Sequence, residues 1–254
     1  MRGLVRSRRF RVTGFLVAGL LAALVAVPAG AFELLDQRRM LTVEEHAQWR
    51  GVGRVNIATF SERGMCTGTL VSQDIVLTAA HCVISERTGE PYAPGNIHFV
   101  AGWRRGVMVG SSRAASVTIH PGYLPSPPSA LDQIATDLAL IRLRHPIPKE
   151  DAPAFHIAPA PEGDTPLTLI SYRRDRAHAL TGQSGCNIRG AEGSVMALGC
   201  DVTFGASGSP LFARIDGEPR LVAVISAMSR LSGQPIAWSV RVDMALGEVL
   251  AALR

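Results

Sequence analysis

The stretch TFGASGSPLF, Thr203 to Phe212, holds two serines one residue apart inside a run of small residues. Such a run serves equally well as a flexible turn, so the rest of the chain must decide whether either serine reacts. Gly205 can adopt backbone geometry that other residues resist. Its N–H and that of Ser207 can then point into one small space, an oxyanion hole for an attacked carbonyl. Gly208 removes bulk beside the attacking oxygen. Ser209 precedes Pro210 and leads into the strand-like LFARI, so it is already leaving the site. Ser207 is the candidate nucleophile and Ser209 is scaffold. The order is Gly-x-Ser-Gly rather than Gly-x-Ser-x-Gly, which argues against the strand-to-helix elbow of α/β-hydrolases.

A serine hydroxyl needs a base, and the base needs an orienting acid. DIVLTAAHCV, Asp74 to Val83, ends a strand-like run in Ala79, Ala80, His81 and Cys82. The two alanines allow close packing behind an imidazole, and a firmly held histidine with a pKa near neutrality suits a general base. Alone, His81 reads more simply as a structural histidine, since the chain has seven. Asp137 opens DLALIRL, where a loop enters a strand. A carboxylate there can be partly buried and still accept a hydrogen bond from an imidazole nitrogen, although an Asp before a strand is commonly a turn or cap residue. Asp132 is the rival acid, in a Pro/Ser-rich loop whose flexibility counts against it.

The framework around these residues is strand-like. After a polar lead-in, LTVEEHAQWR, that reads as helical, GRVNIATF, GTLVS, DIVLTAA, NIHFVAG, SVTIH and DLALIRL are short apolar runs separated by turn residues. Residues 144–164 then carry Pro146, Pro148, Pro153, Pro159 and Pro161, a composition suited to an extended connector. Strand-like runs resume with LTLISY, GSVMALGC, SPLFARI, RLVAVISA and IAWSVRV. The tail VDMALGEVLAALR has apolar residues at helical spacing. Many short strands in two groups, joined by a crossover, predict two antiparallel barrels or sandwiches.

TAAHC, DLALI and GASGSP, in the order His, Asp, Ser, resemble the three motifs of the trypsin-like (chymotrypsin-fold) serine proteases, over nearly the whole chain from about Val52. The resemblance implies an all-β fold of two antiparallel six-stranded β-barrels with a C-terminal helix. It implies a serine endopeptidase with His81 and Asp137 from the first barrel and Ser207 from the second, meeting in the cleft between them. Cys66 and Cys82 look like the family's cystine beside the catalytic histidine. The Ser-Gly-Ser-Pro ending and the small number of cysteines look more like the bacterial, V8-like branch than the digestive enzymes.

Several positions depart from the family pattern. Ala206 stands where activated trypsins carry an Asp that pairs with a new N-terminus, so activation by N-terminal insertion is not expected. Asp201, six residues before Ser207, has the spacing of the acid with which trypsin selects Arg or Lys; its other reading is a wall residue bonded to its own loop. Ser226 in VAVISAM resembles the serine that ends the substrate-pairing strand and supports the triad aspartate. Ile225 stands where glutamate-specific relatives carry a histidine, which disfavours Glu. Met228 falls near a position often held by glycine at the pocket entrance, against easy passage of long side chains.

The remaining features concern the ends and the compartment. Residues 1–31 read as a signal peptide: five arginines, an apolar run from Gly14 to Val27 too short for a comfortable membrane span, and Ala29-Gly30-Ala31 before the cut. Ser7-Arg8-Arg9 hints at twin-arginine export, but Arg11 sits where such signals prefer an apolar residue. The formal charge is +5, and that segment holds five arginines and no acid, so the remainder is formally neutral. The basicity therefore gives no ground for a nucleic-acid or anionic-membrane partner.

Residues 32–150 are expected to form the lead-in and first barrel, and 151–254 the second barrel and closing helix. A second reading makes 32–50 a removable pro-segment. The four cysteines, Cys66, Cys82, Cys186 and Cys200, allow three connectivities; 66–82 and 186–200 is the economical pairing, each loop worth roughly 3 kcal/mol. A zinc site with His81 lacks the usual ligand spacing. The expectation is thus a monomeric, periplasmic or extracellular enzyme without metal or organic cofactor, acting on protein or peptide. A catalytically silent homologue that only binds a partner is the alternative, and an esterase using the same serine is a further one.

Overall fold

The structure is a computed structural model that describes residues 38–125, 130–163 and 165–252. The signal peptide expected at 1–31 lies outside the described residues. Among the described residues, fourteen strands and three α-helices follow in chain order: β1 (Arg39–Met40), α1 (Val43–Ala47), β2 (Val52–Ala58), β3 (Arg63–Leu70), β4 (Ile75–Thr78), β5 (Ile97–Ala101), β6 (Gly110–Ile119), α2 (Ala130–Ala135), β7 (Ala139–Leu143), β8 (Leu167–Arg173), β9 (Arg176–Cys186), β10 (Ile188–Glu192), β11 (Val195–Leu198), β12 (Pro210–Ile215), β13 (Glu218–Leu231), β14 (Gln234–Arg241) and α3 (Val242–Ala251).

β2, β3, β4, β7, β6 and β5 close, in that order, into a barrel. Its strands show the period of two that a half-buried surface requires: in β2, Val55 and Ile57 are buried, while Arg54 and Asn56, which alternate with them, are half-buried. The second unit is a sheet ordered β1-β9-β8-β12-β13-β14-β11-β10. Its six central strands correspond to the six expected. β1 from the lead-in and β10 are added on the two edges, so the sheet has eight. Strand pairing throughout is antiparallel. α3 closes the chain against β13 and β14, burying Val242, Ala245 and Val249.

The lead-in is part of this fold. Thr42 caps α1, accepting the Glu45 N–H at 3.3 Å, while the Glu45 carboxylate accepts the Thr42 N–H at 2.8 Å. This reciprocal arrangement is the one a Thr-x-x-Glu pattern favours. Leu41 and Trp49 are buried, and the Trp49 ring lies 5.7 Å from that of Phe155 and 4.8 Å from that of Phe212. The Leu41 N–H also donates to Leu180 O at 3.0 Å. Removing a segment that extends to residue 50 would expose this core, which weighs against a pro-segment that reaches across residues 38–50.

Among the described residues between β7 and β8 there is no helix or strand, and a single parallel bridge joins Ile157 to Leu221, as the prolines lead one to expect. Apolar side chains tack the connector down: Ile147 and Ala152 in the barrel core, Phe155 against Trp49 and Phe212, and Ala160 in the core of the second sheet. The Pro/Ser-rich loop before Asp137 differs from expectation, because it contains α2, anchored by the buried Ile134. Among the described residues, no helix is long and apolar enough to cross a membrane.

Candidate active site

Strand register brings the first two candidates together. β4 and β7 pair antiparallel with Thr78 opposite Ala139. His81 lies three residues past Thr78 and Asp137 two residues before Ala139, so both emerge at the same end of this pair. The chain after β4 turns at once into a 3-10 turn, Ala80–Val83, and Ala79 and Ala80 are completely buried. Any larger side chain at either would need space that this packing does not leave. A disulfide between Cys82 and Cys66 fastens the turn to β3.

Asp137 is 2 % exposed, and three donors converge on its carboxylate. Oδ2 accepts from His81 Nδ1 at 2.7 Å and from Ser226 Oγ at 2.6 Å, and Oδ1 accepts the His81 backbone N–H at 2.9 Å. A carboxylate bonded to Nδ1 keeps the ring proton there, which leaves Nε2 with its lone pair free to act as a base. Burial pushes Asp137 up, but the His81 charge and the hydrogen bonds from His81 and Ser226 outweigh it and hold the group below the usual carboxylate range. Burial likewise pushes His81 down, yet the Asp137 charge and hydrogen bond prevail and raise it above the ordinary histidine value. Asp132 sits on α2, exposed. The local segment is ordered, contrary to expectation, but Asp132 is not among the groups that hydrogen-bond His81.

The Ser207 loop is laced into both halves. Its own turns are closed by Ala206 N–H to Thr203 O and Ser209 N–H to Ala206 O, each 3.0 Å. Gly208 N–H donates to Ile225 O on β13 at 2.8 Å, and Thr67 N–H on β3 donates to Ser207 O at 2.9 Å. The completely buried Thr67 hydroxyl donates to Gly205 O at 3.0 Å. Gly208 has φ +77°, and a Cβ there would lie 2.2 Å from both Thr67 O and Thr78 Oγ1. That contact seats the loop directly against the residues leading into the His81 turn. Gly205 has φ +90°. Among the described residues, the N–H groups of Gly205 and Ser207 have no acceptor, so the two donors expected to face a developing oxyanion are unengaged. Ser209 is fully buried, consistent with scaffold, whereas Ser207 is partly exposed.

Two cavities meet at Ser226 and Ala227. One, of about 610 Å³, is lined by His81, Asp137, Glu86, Tyr123 and Gln133. The other, of about 280 Å³, holds Ser207 with Val202, Phe204, Ile225 and Met228. His81 and Ser207 therefore face adjoining space, although the Ser207 hydroxyl makes no hydrogen bond to a described residue. A looser arrangement before substrate binds is common in such sites. Asp201 does not line the Ser207 cavity. It lies in a neighbouring one of about 240 Å³ and pairs with Arg38, Oδ2 to Nη1 at 2.5 Å. Neither Arg38 nor Thr67 was foreseeable as a partner, because each acts on residues more than a hundred positions away.

The Cys66 and Cys82 sulfurs and a His81 ring nitrogen lie within 4.8 Å of one another. The sulfurs are bonded together, so they offer no thiolate pair to a zinc ion. The second disulfide, Cys186–Cys200, ties the end of β9 to the loop that leads into Ser207.

A barrel and a second antiparallel sheet, with a histidine on a buried aspartate supplied by the first and a Gly-flanked serine loop by the second, define the chymotrypsin-fold serine proteases. The chain belongs to the trypsin-like peptidase domain family, whose model matches residues 66–224. The cercarial protease of Schistosoma mansoni is 33 % identical over 127 residues, 45 % of this chain and 46 % of that protein, so the match spans about half the length of that curated relative. Among solved structures, a Glu endopeptidase in complex with MPD superposes with a TM-score of 0.70 at 19 % identity, covering 86 % of this chain and 98 % of that one. The protease Anisep from Arthrobacter nicotinovorans gives 0.65 at 14 % identity, with 85 % and 100 % covered. The thermostable serine protease AL20 from an extremophilic microorganism gives 0.66 at 17 %, with 82 % and 99 % covered. These structural likenesses concern the fold.

Proposed function

We propose that the chain is an exported serine endopeptidase that hydrolyses peptide bonds through His81, Asp137 and Ser207. The observation that carries this reading is the buried Asp137 carboxylate bonded to His81 Nδ1 at 2.7 Å, beside a serine loop with two unengaged N–H donors. In the reaction, His81 Nε2 takes the Ser207 proton as the oxygen attacks the carbonyl carbon. The N–H groups of Gly205 and Ser207 hold the oxyanion, and Asp137 stabilises the imidazolium. His81 then gives the proton to the leaving amine, and water releases the acyl group by the same route in reverse. Ser226 and the β13 residues after it pair with the substrate backbone.

Two closed disulfides favour an oxidising compartment, in agreement with a signal peptide at 1–31 and a periplasmic or extracellular destination. The Ser-Gly-Ser-Pro ending and the scarcity of cystines support the V8-like branch. The test is labelling of the disulfide-intact protein with a fluorophosphonate probe, with the adduct located by mass spectrometry. Labelling at Ser207 that vanishes in Ser207→Ala supports the reading. A folded protein that never labels is a silent binding homologue, and turnover of esters without matched peptides marks an esterase.

A further inference from the structure

The cavity beside Ser207 is shut at the end where its sequence spacing would put an acid. Val202 and Met228 line both that cavity and the neighbouring one that carries Asp201, so these two residues form the partition between them. On the Ser207 side the wall consists of Val202, Phe204, Ile225, Ala227 and Met228, with hydroxyls from Thr203, Ser207 and Ser226. Among the described residues, no charged side chain lines it. On the far side, Asp201 is already held by Arg38 at 2.5 Å. Met228 is 44 % exposed and unbranched, a flexible thioether able to cover the mouth between the two spaces.

Resting on the protease reading above, we propose that Met228 is the residue that sets substrate choice, closing the Ser207 cavity into a short apolar pocket. The substrate then carries a compact apolar side chain (Val, Leu or Met) on the residue whose carbonyl is attacked, the P1 residue. An arginine or lysine there would surrender its hydration with Asp201 walled off and already paired. A glutamate would find no cation in the pocket. An apolar side chain gains about 25 cal/mol for each Å² it removes from water and leaves nothing unpaired.

The experiment compares kcat/KM for a peptide series differing only at P1, in the wild-type protein and in Met228→Gly, with probe labelling at Ser207 measured in parallel. Wild type is expected to favour P1 Leu, Val or Met over Arg, Lys and Glu by at least about a hundredfold. Met228→Gly merges the two spaces and should raise P1 Phe relative to Val by about tenfold or more. Adding Arg38→Ala, which frees Asp201, should raise P1 Arg relative to Leu by about tenfold or more over wild type. Because glycine weakens a strand, Met228→Ala serves as the second variant, with the same direction of change.

A protein that labels normally but prefers Arg, Lys or Glu overturns the inference and leaves the protease reading standing. So does a Met228 variant that labels normally and keeps the wild-type P1 profile. Failure of the wild type to label overturns the protease reading, and the inference falls with it.

Discussion

Replacing Ser226 by alanine deletes one oxygen from the most constrained hydrogen-bond group in the molecule. Ser226 Oγ donates to Asp137 Oδ2 at 2.6 Å, and both residues are buried, at 7 % and 2 % exposure, so water cannot readily take the donor's place. A hydrogen bond to a charged group contributes about 1.5–3 kcal/mol, and Ser226→Ala should lower the unfolding free energy by about 2 kcal/mol near neutrality. The loss should depend on pH in a definite direction. Asp137 is raised by burial but lowered more strongly by His81 and Ser226, so its folded pKa lies below its ordinary value. The stability it contributes is fully present above the unfolded carboxylate pKa, about 3.9, and disappears as pH falls through the lower folded value. The deficit of the variant should therefore be full at about pH 7 and shrink only as the pH falls through the lowered folded value, where the carboxyl becomes protonated in both proteins. Urea unfolding followed by tryptophan fluorescence, with both disulfides intact, measures it at each pH. A deficit under about 0.5 kcal/mol at neutrality, or one that persists unchanged in acid, would refute the reasoning.

Ser207→Ala and His81→Ala should each reduce turnover on the order of 10⁶-fold, and the double variant should be no worse than either, as measured on one matched peptide. Burial depresses His81 but Asp137 raises it further, and catalysis needs the neutral ring, so kcat/KM should rise with pH through a midpoint above about 6.5. Asp137→Asn, by removing the carboxylate charge, should move that midpoint down; an upward move would contradict the assignment. Gly208→Ala must place a methyl 2.2 Å from two oxygens at φ +77°, and chemical denaturation should show a loss of at least about 3 kcal/mol. Trp49→Ala should cost about 3–5 kcal/mol, and a chain beginning at Gly51 should show no cooperative unfolding transition.

The candidate site residues were legible because the proposed chemistry tolerates few neighbours. Only small residues fit behind His81, and Gly208 lies too close to Thr67 and Thr78 to carry a side chain, so both motifs have compositions that stand out. β9 was not legible. Arg176–Cys186 reads RAHALTGQSGC, with two glycines and polar residues, yet Thr181 and Ser184 are buried because β1 and β8 flank the strand on either side. Its place depends on tertiary neighbours more than on local propensity. The lead-in was seen as helical, but Trp49 could not be assigned to the core from sequence, since Phe155 and Phe212 lie more than a hundred residues away. Asp201 illustrates the same limit: its spacing from Ser207 was readable, whereas its partner Arg38 was not.

Trp49, Phe155 and Phe212 belong to an apolar cluster that also holds Leu77 and Leu140 from the barrel strands, Ile170 and Val224 from the second sheet, and Val249 from α3. Neither half owns this cluster, and neither could keep it dry alone. The two halves of the site are thus bound into one thermodynamic unit: the contacts that hold Ser207 facing the His81 turn are those that hold the chain folded. Heat should destroy catalysis and structure in the same step, with no partly opened enzyme between them. Substrates must then adapt to a rigid cleft, and discrimination falls to the side chains lining it.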